Sequence, residues 1–163
     1  MNRIWAPWRM EYITSTKEPG ENKCFLCLTG DMDESSLVLL RKPAAFAIMN
    51  RYPYSNGHVM VVPTRHVGRI EELTDEELLD MMGLVRIVST VFQEELSVDG
   101  LNVGINMGKA AGAGLEEHIH IHVVPRWFGD TNFMPVLGET RVISEHLLAT
   151  YRKLKEKMRA KVL

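Results

Sequence analysis

The run His118-Ile119-His120-Ile121-His122-Val123-Val124-Pro125 constrains this chain more than any other stretch: three histidines alternate with aliphatic residues and a proline closes the run. Strict alternation reads as a β-strand, in which successive side chains point to opposite faces. The three imidazoles are therefore expected on one face, spaced by roughly 6.5 to 7 Å along the strand. Ile119, Ile121 and Val123 would anchor the other face in a core. Imidazole titrates near neutral pH and serves as nucleophile, general acid or base, or metal ligand. Half of the chain's six histidines fall within five alternating positions, which argues against a scatter of surface histidines. Two chemistries are open at this point: a row of imidazoles meeting one small charged group, and a zinc site made of all three histidines.

A length of 163 residues with 45% hydrophobic content fits a single domain with a proper core. The net charge of -2 and pI near 6.3 give no electrostatic case for nucleic acid or a membrane surface, and favour a small-molecule partner. No apolar run is long enough to span a bilayer, and Arg3, Arg9 and Glu11 interrupt the apolar residues at the start, so no membrane contact and a cytoplasmic protein are expected.

Residues Met1 to Tyr12 carry Trp5, Pro7, Trp8 and Tyr12 without a clean period; such a segment covers its own core or forms a subunit interface. Thr14 to Lys23 reads as a loop. Cys24-Phe25-Leu26-Cys27 follows, a spacing that suits either one metal gripped from a tight turn or a redox pair. Leu37 to Leu40 and Ala44 to Met49 are expected as two strands reversed through Arg41-Lys42-Pro43. The nearly wholly apolar His58 to Pro63 predicts a central strand covered on both faces. Thr74-Asp75-Glu76-Glu77 is a capping box that starts a helix, with Leu78, Met81, Met82, Val85, Val88 and Phe92 as its buried stripe. Leu101 to Met107 alternates and should pair antiparallel with the histidine strand through the loop 108–114. The three glycines there let backbone N–H groups approach a ligand closely. Glu116 reads as solvated, and Glu117 as a candidate for orienting a histidine. Leu147, Leu148, Tyr151, Leu154 and Met158 trace an amphipathic C-terminal helix, preceded by His146 as a surface residue.

The histidine run resembles the signature of the histidine triad (HIT) superfamily, His-φ-His-φ-His-φ-φ with φ apolar, at every position. That resemblance implies that His120 attacks the α-phosphate of a nucleotide and carries the nucleotidyl group, with His118 and His122 assisting. The pattern Asn50-x7-His58 followed by four apolar residues and Pro63 also matches, which implies that Asn50 binds ribose, that Ile48 belongs to the nucleotide-binding set, and that His58 lies beside the triad as a catalytic residue supporting His120. In zinc-bearing members the ligands correspond to Cys24, Cys27, His66 and His118, so a structural zinc is implied. Most of the superfamily has Gly-Gln-Ser/Thr upstream of the triad. Here Ala113 and Gly114 stand in those places, in a loop one residue longer, so phosphate contacts are expected from Asn106, Lys109 and the backbone at Gly112 and Gly114.

The implied architecture is α+β: a HIT-like antiparallel sheet of about five strands with one long central helix and a C-terminal helix. A single domain over 1–163 is expected, with an N-terminal arm 1–23, a core 24–128 and a C-terminal extension and helix 129–163, and a homodimer is implied. Trp5-x-Pro7-x-Arg9-Met10-x-Tyr12, Leu115-x-Glu117-His118 and Val124-Pro125-Arg126-Trp127 look like a bacterial branch containing diadenosine tetraphosphate phosphorylases. The expected partners are thus adenine nucleotides and inorganic phosphate. Alternatives are water as the acceptor, on dinucleoside polyphosphates or nucleoside phosphoramidates, and a non-catalytic nucleotide-binding zinc protein.

Overall fold

A computed structural model describes residues 24–27, 34–130, 143 and 145–161. The aromatic segment Met1 to Tyr12, the polar stretch to Lys23 and most of the extension 129–163 ahead of the C-terminal helix lie outside the described residues. The apolar and alternating stretches form five strands, β1 (Val38–Arg41), β2 (Ala45–Met49), β3 (Val59–Pro63), β4 (Gly100–Ile105) and β5 (Ile121–Arg126). They make one antiparallel sheet in the order β1-β2-β3-β5-β4. With helices α1 (Asp75–Leu96) and α2 (Leu147–Ala160), this is the expected α+β arrangement. β3 is central and all five of its residues are buried, as its unbroken apolar run requires, whereas β4 is a largely exposed edge.

α1 starts where the capping box places it. Thr74 Oγ1 accepts from Glu77 N–H, and Glu77 Oε2 accepts from Thr74 N–H at 2.9 Å. Its buried stripe is Met81, Leu84, Val85, Val88, Val91 and Phe92. Leu78 and Met82, expected inside, are 37% and 55% exposed. The inward face runs through Glu77, Met81, Leu84, Val85, Val88, Val91 and Phe92, which leaves those two residues at its margin, and Arg65 satisfies the carboxylate of Glu77 there. α1 lies across β2, β3 and β5, while α2 packs Tyr151, Leu154 and Met158 against β1 and α1. His146 is exposed, but its ring accepts from Leu148 N–H and so caps α2. Among the described residues no helix is long and apolar enough to cross a membrane.

The histidine strand differs from expectation in where its ladder begins. Pairing of β5 starts at Ile121, and Ile119 N–H donates instead to Val67 O at 2.7 Å. β4 ends at Ile105, so the chain ahead of Ile121 takes its partner from the segment after His66. That approach is close: a Cβ on Gly68 would lie 2.7 Å from the Glu116 carbonyl oxygen, so only glycine fits without displacing the run into His118.

Candidate active site and metal centre

The sheet register assembles the site. Ile48, Met60, His122 and Gly104 are opposed in turn across β2, β3, β5 and β4. Opposed residues share a face, so Ile48 and Gly104 flank the row that holds His122. Gly104 is exposed, and a Cβ there would meet nothing within 4 Å, so the face beside His122 is open. Asn50 N–H donates to His58 O at 2.9 Å, extending the β2–β3 pairing by one step. His58 then lies diagonal to His122, so its hydrogen bond goes to that ring, Nε2 to His122 Nδ1 at 3.0 Å, and not to His120, the ring it was expected to support.

Backbone groups fix the tautomer of each buried ring. A carbonyl oxygen only accepts, so His118 carries its proton on Nε2, which donates to Pro63 O at 2.9 Å, and turns an Nδ1 lone pair toward the cysteines. His120 carries its proton on Nδ1, donating to His118 O at 2.9 Å, which leaves the lone pair on Nε2. His58 Nδ1 accepts from Tyr54 N–H at 3.1 Å, so its proton is on Nε2 and points at His122 Nδ1. His122 must then carry its own proton on Nε2. Among the described residues, Nε2 of neither His120 nor His122 has a hydrogen-bond partner. Two rings with centroids 4.7 Å apart thus offer, side by side, one nucleophilic lone pair and one N–H donor. The Tyr54 ring stacks on His58 and His122 at 4.6 and 5.5 Å.

Burial pushes the pKa values of His118 and His120 down, and that of His122 down to about 4, with the neighbouring His120 adding to the last. The rings are therefore neutral at physiological pH, as an attacking nitrogen requires. A stability effect follows for His122. With an unfolded pKa of 6.5 and a folded value of about 4, the unfolded chain binds more protons between these limits. The stability from keeping His122 neutral is fully present above 6.5 and is lost as pH falls toward 4, by up to about 3 kcal/mol. Urea titrations across that window should show a falling midpoint, and His122→Asn should flatten the fall.

Next to the triad lies a second cluster. The ligand atoms of Cys24, Cys27, His66 and His118 all lie within 4.8 Å of one another. The two cysteines sit on a tight turn closed by Cys27 N–H to Cys24 O at 2.9 Å. Sulfur to Nδ1 separations are 3.3 Å for Cys24 and His118, 3.7 Å for Cys27 and His118, and 3.2 Å for Cys27 and His66. A tetrahedral ion with Zn–S of about 2.3 Å and Zn–N of about 2.0 Å gives sulfur to nitrogen edges of about 3.5 Å, so this donor set fits one metal. Burial raises the Cys24 thiol pKa, and a cation would offset that cost of a thiolate. A metal held by all three triad histidines does not fit, because His118 commits Nε2 to Pro63 O and turns Nδ1 toward Cys24 and Cys27, leaving no nitrogen to share with His120 and His122.

Two supporting residues escaped the sequence reading. Arg65 donates to Glu77 Oε1 and Oε2 at 2.9 and 2.8 Å and to Glu72 O at 2.7 Å, fastening the loop that carries His66 to the start of α1. Only the adjacency of an arginine to His66 hinted at this. Gly68 is the other, for the close approach described above. The glycine loop holds a 3-10 turn, Lys109–Ala111, between Gly108 and Gly112, both at positive φ. Asn106 lies beside Gly112, and among the described residues Lys109 makes only an exposed ion pair with Glu116 at 3.7 Å, so its ammonium is easily released. Gly114 closes the loop with open space around it. Glu117 is exposed, and the ring nitrogens it was a candidate to orient are held by other groups.

Residues 32–129 match the family model described as HIT domain. The chain is 38% identical to the "AP-4-A phosphorylase" of Mycobacterium tuberculosis over 161 residues, covering 94% of this chain and 83% of that protein. It is 42% identical to the "Bis(5'-adenosyl)-triphosphatase" of Dictyostelium discoideum over 91 residues, 56% of this chain and 60% of that protein. Its fold is similar to that of a zinc-bound histidine triad family protein from Mycobacterium smegmatis, with a TM-score of 0.63 and 27% identity over 77% of this chain and 86% of the other.

Proposed function

The chain belongs to the HIT domain family, and from that premise we propose that it is an enzyme cleaving adenine dinucleoside polyphosphates, with His120 as nucleophile and inorganic phosphate as acceptor. The observation that carries this reading is the pair of opposite tautomers at His120 and His122 on an open face of the sheet. His120 Nε2 forms a bond to the α-phosphorus, and the bond from that phosphorus to the oxygen of the departing nucleotide breaks. The electron pair leaves with that oxygen, which His122 Nε2–H stabilises by a hydrogen bond. A phosphate oxygen then bonds to the same phosphorus, and the P–N pair returns to His120. Ile48 and Asn50 line the nucleoside end, and Asn106, Lys109 and the backbone at Gly112 and Gly114 meet the phosphates. The similarity to a protein named as a phosphorylase supports phosphate as acceptor; the similarity to one named as a triphosphatase favours water as the second reading.

Zinc is the metal we assign to Cys24, Cys27, His66 and His118, supported by the donor set and by the zinc-bound relative. With four protein ligands it supplies structure and leaves no open position for substrate. We further assign a homodimer joined along β4, whose exposed edge, with Val103 48% exposed, is a template for pairing with a second sheet.

Incubation of the zinc-loaded protein with diadenosine tetraphosphate and labelled phosphate tests the reaction. Equal amounts of adenosine triphosphate and labelled adenosine diphosphate are expected. Adenosine monophosphate in place of the labelled product would shift the acceptor to water, and no turnover would refute the enzyme reading.

A further inference from the structure

Asn50 does more than its expected contact with a ribose, because both ends of its amide are engaged by the protein. Oδ1 accepts from Tyr52 N–H at 2.9 Å, which orients the amide so that Nδ2 is the atom facing His58 Nδ1, at 3.2 Å. Tyr54 N–H approaches the same nitrogen at 3.1 Å. Two donors therefore converge on one imidazole nitrogen, and both are satisfied only if that nitrogen holds a lone pair. His58 is fully buried, and its other nitrogen makes a buried 3.0 Å hydrogen bond to His122. Donor direction thus runs without a break from the end of β2 to the ring beside the nucleophile.

We propose that Asn50 is a positioning residue for the reaction: its amide, with Tyr54 N–H, locks His58 as the Nε2–H tautomer and so holds His122 with its proton on Nε2, turned to the leaving oxygen. The reverse tautomer would put a proton on His58 Nδ1 against two donors and present a bare lone pair of His122 to a departing oxyanion. An ordinary turn-capping asparagine would stabilise residues 50–58 and do nothing to His122. A plain ribose ligand would act on substrate binding alone. The chemistry of position 50 separates these readings. In Asn50→Asp a carboxylate oxygen replaces Nδ2, accepts instead of donating, and draws the His58 proton to Nδ1.

The kinetic arm rests on the nucleotidyl-transfer reading; the tautomer arm does not. Histidine-15N-labelled, metal-loaded protein is compared as wild type, Asn50→Asp and Asn50→Ala, reading ring protonation by long-range proton–nitrogen NMR and kcat and KM on diadenosine tetraphosphate. Expected are Nε2–H at both His58 and His122 in the wild type, a shift of His122 toward Nδ1–H in Asn50→Asp, and a kcat lower by about 10- to 100-fold with KM within a few-fold, the loss typical of removing a group that orients a histidine. Asn50→Ala, which retains the Tyr54 donor, should lose less. The proposal is overturned if wild-type His122 carries its proton on Nδ1, a result that needs no variant to fold. It is equally overturned if Asn50→Asp keeps Nε2–H at His122, or if its defect lies in KM alone. Absence of turnover in wild type would end the enzymatic reading while leaving the wild-type tautomers to decide this one.

Discussion

Replacing His120 by alanine is expected to lower turnover of diadenosine tetraphosphate by roughly 10⁴-fold or more, the scale lost when a covalent nucleophile is removed. The fold should tolerate the change. Among the described residues His120 makes one hydrogen bond, to His118 O, and losing it should cost about 1 kcal/mol. His118 keeps its own anchor at Pro63 O, so metal content should be unchanged. Metal analysis, a thermal melt and single-turnover kinetics on the same sample check all three parts. Loss of metal together with activity would place His120 in the metal centre instead, and full activity would remove it from the chemistry.

The second large effect is that of the metal. Cys24 and Cys27, His66, and His118 come from three separate parts of the chain, and without a cation two thiols and two imidazoles are left facing one another. An ion that binds only the folded protein stabilises it by about 4 kcal/mol at a thousandfold excess over its Kd. Stripping the metal, or the double change Cys24→Ser with Cys27→Ser, should therefore lower the melting temperature substantially. It should also lower kcat, by about 10- to 100-fold, because the carbonyl that sets the His120 tautomer belongs to His118, one of the four residues assigned to the metal. The melt is read with and without added zinc. An unchanged melting temperature after complete metal removal would contradict a structural centre at these residues.

Much of this was legible in the sequence because strong local rules pointed the same way. The apolar run Val59–Pro63 had to be central, and Thr74 with Glu77 had to start a helix. The alternation at 118–123 put histidines and aliphatic residues on opposite faces, and Ile121 and Val123 do join the core. Periodicity could not show that Glu77, a charged residue, would hold an inward position of α1, because its partner Arg65 lies outside the helix. Nor could it show where the ladder of β5 begins, since that depends on Val67 and Gly68 meeting the chain from across the fold. The tautomers were invisible because each is set by the direction of a backbone group that periodicity does not give, Pro63 O from across the fold and His118 O and Tyr54 N–H from nearby in the chain.

The stereochemical course at the α-phosphorus tests the covalent step most directly. With a substrate made chiral there by sulfur and oxygen isotopes, transfer through His120 takes two in-line displacements and must return the original configuration in the product. Inverted configuration would mean a single direct displacement, and the nucleotidyl-histidine would have no place in the reaction.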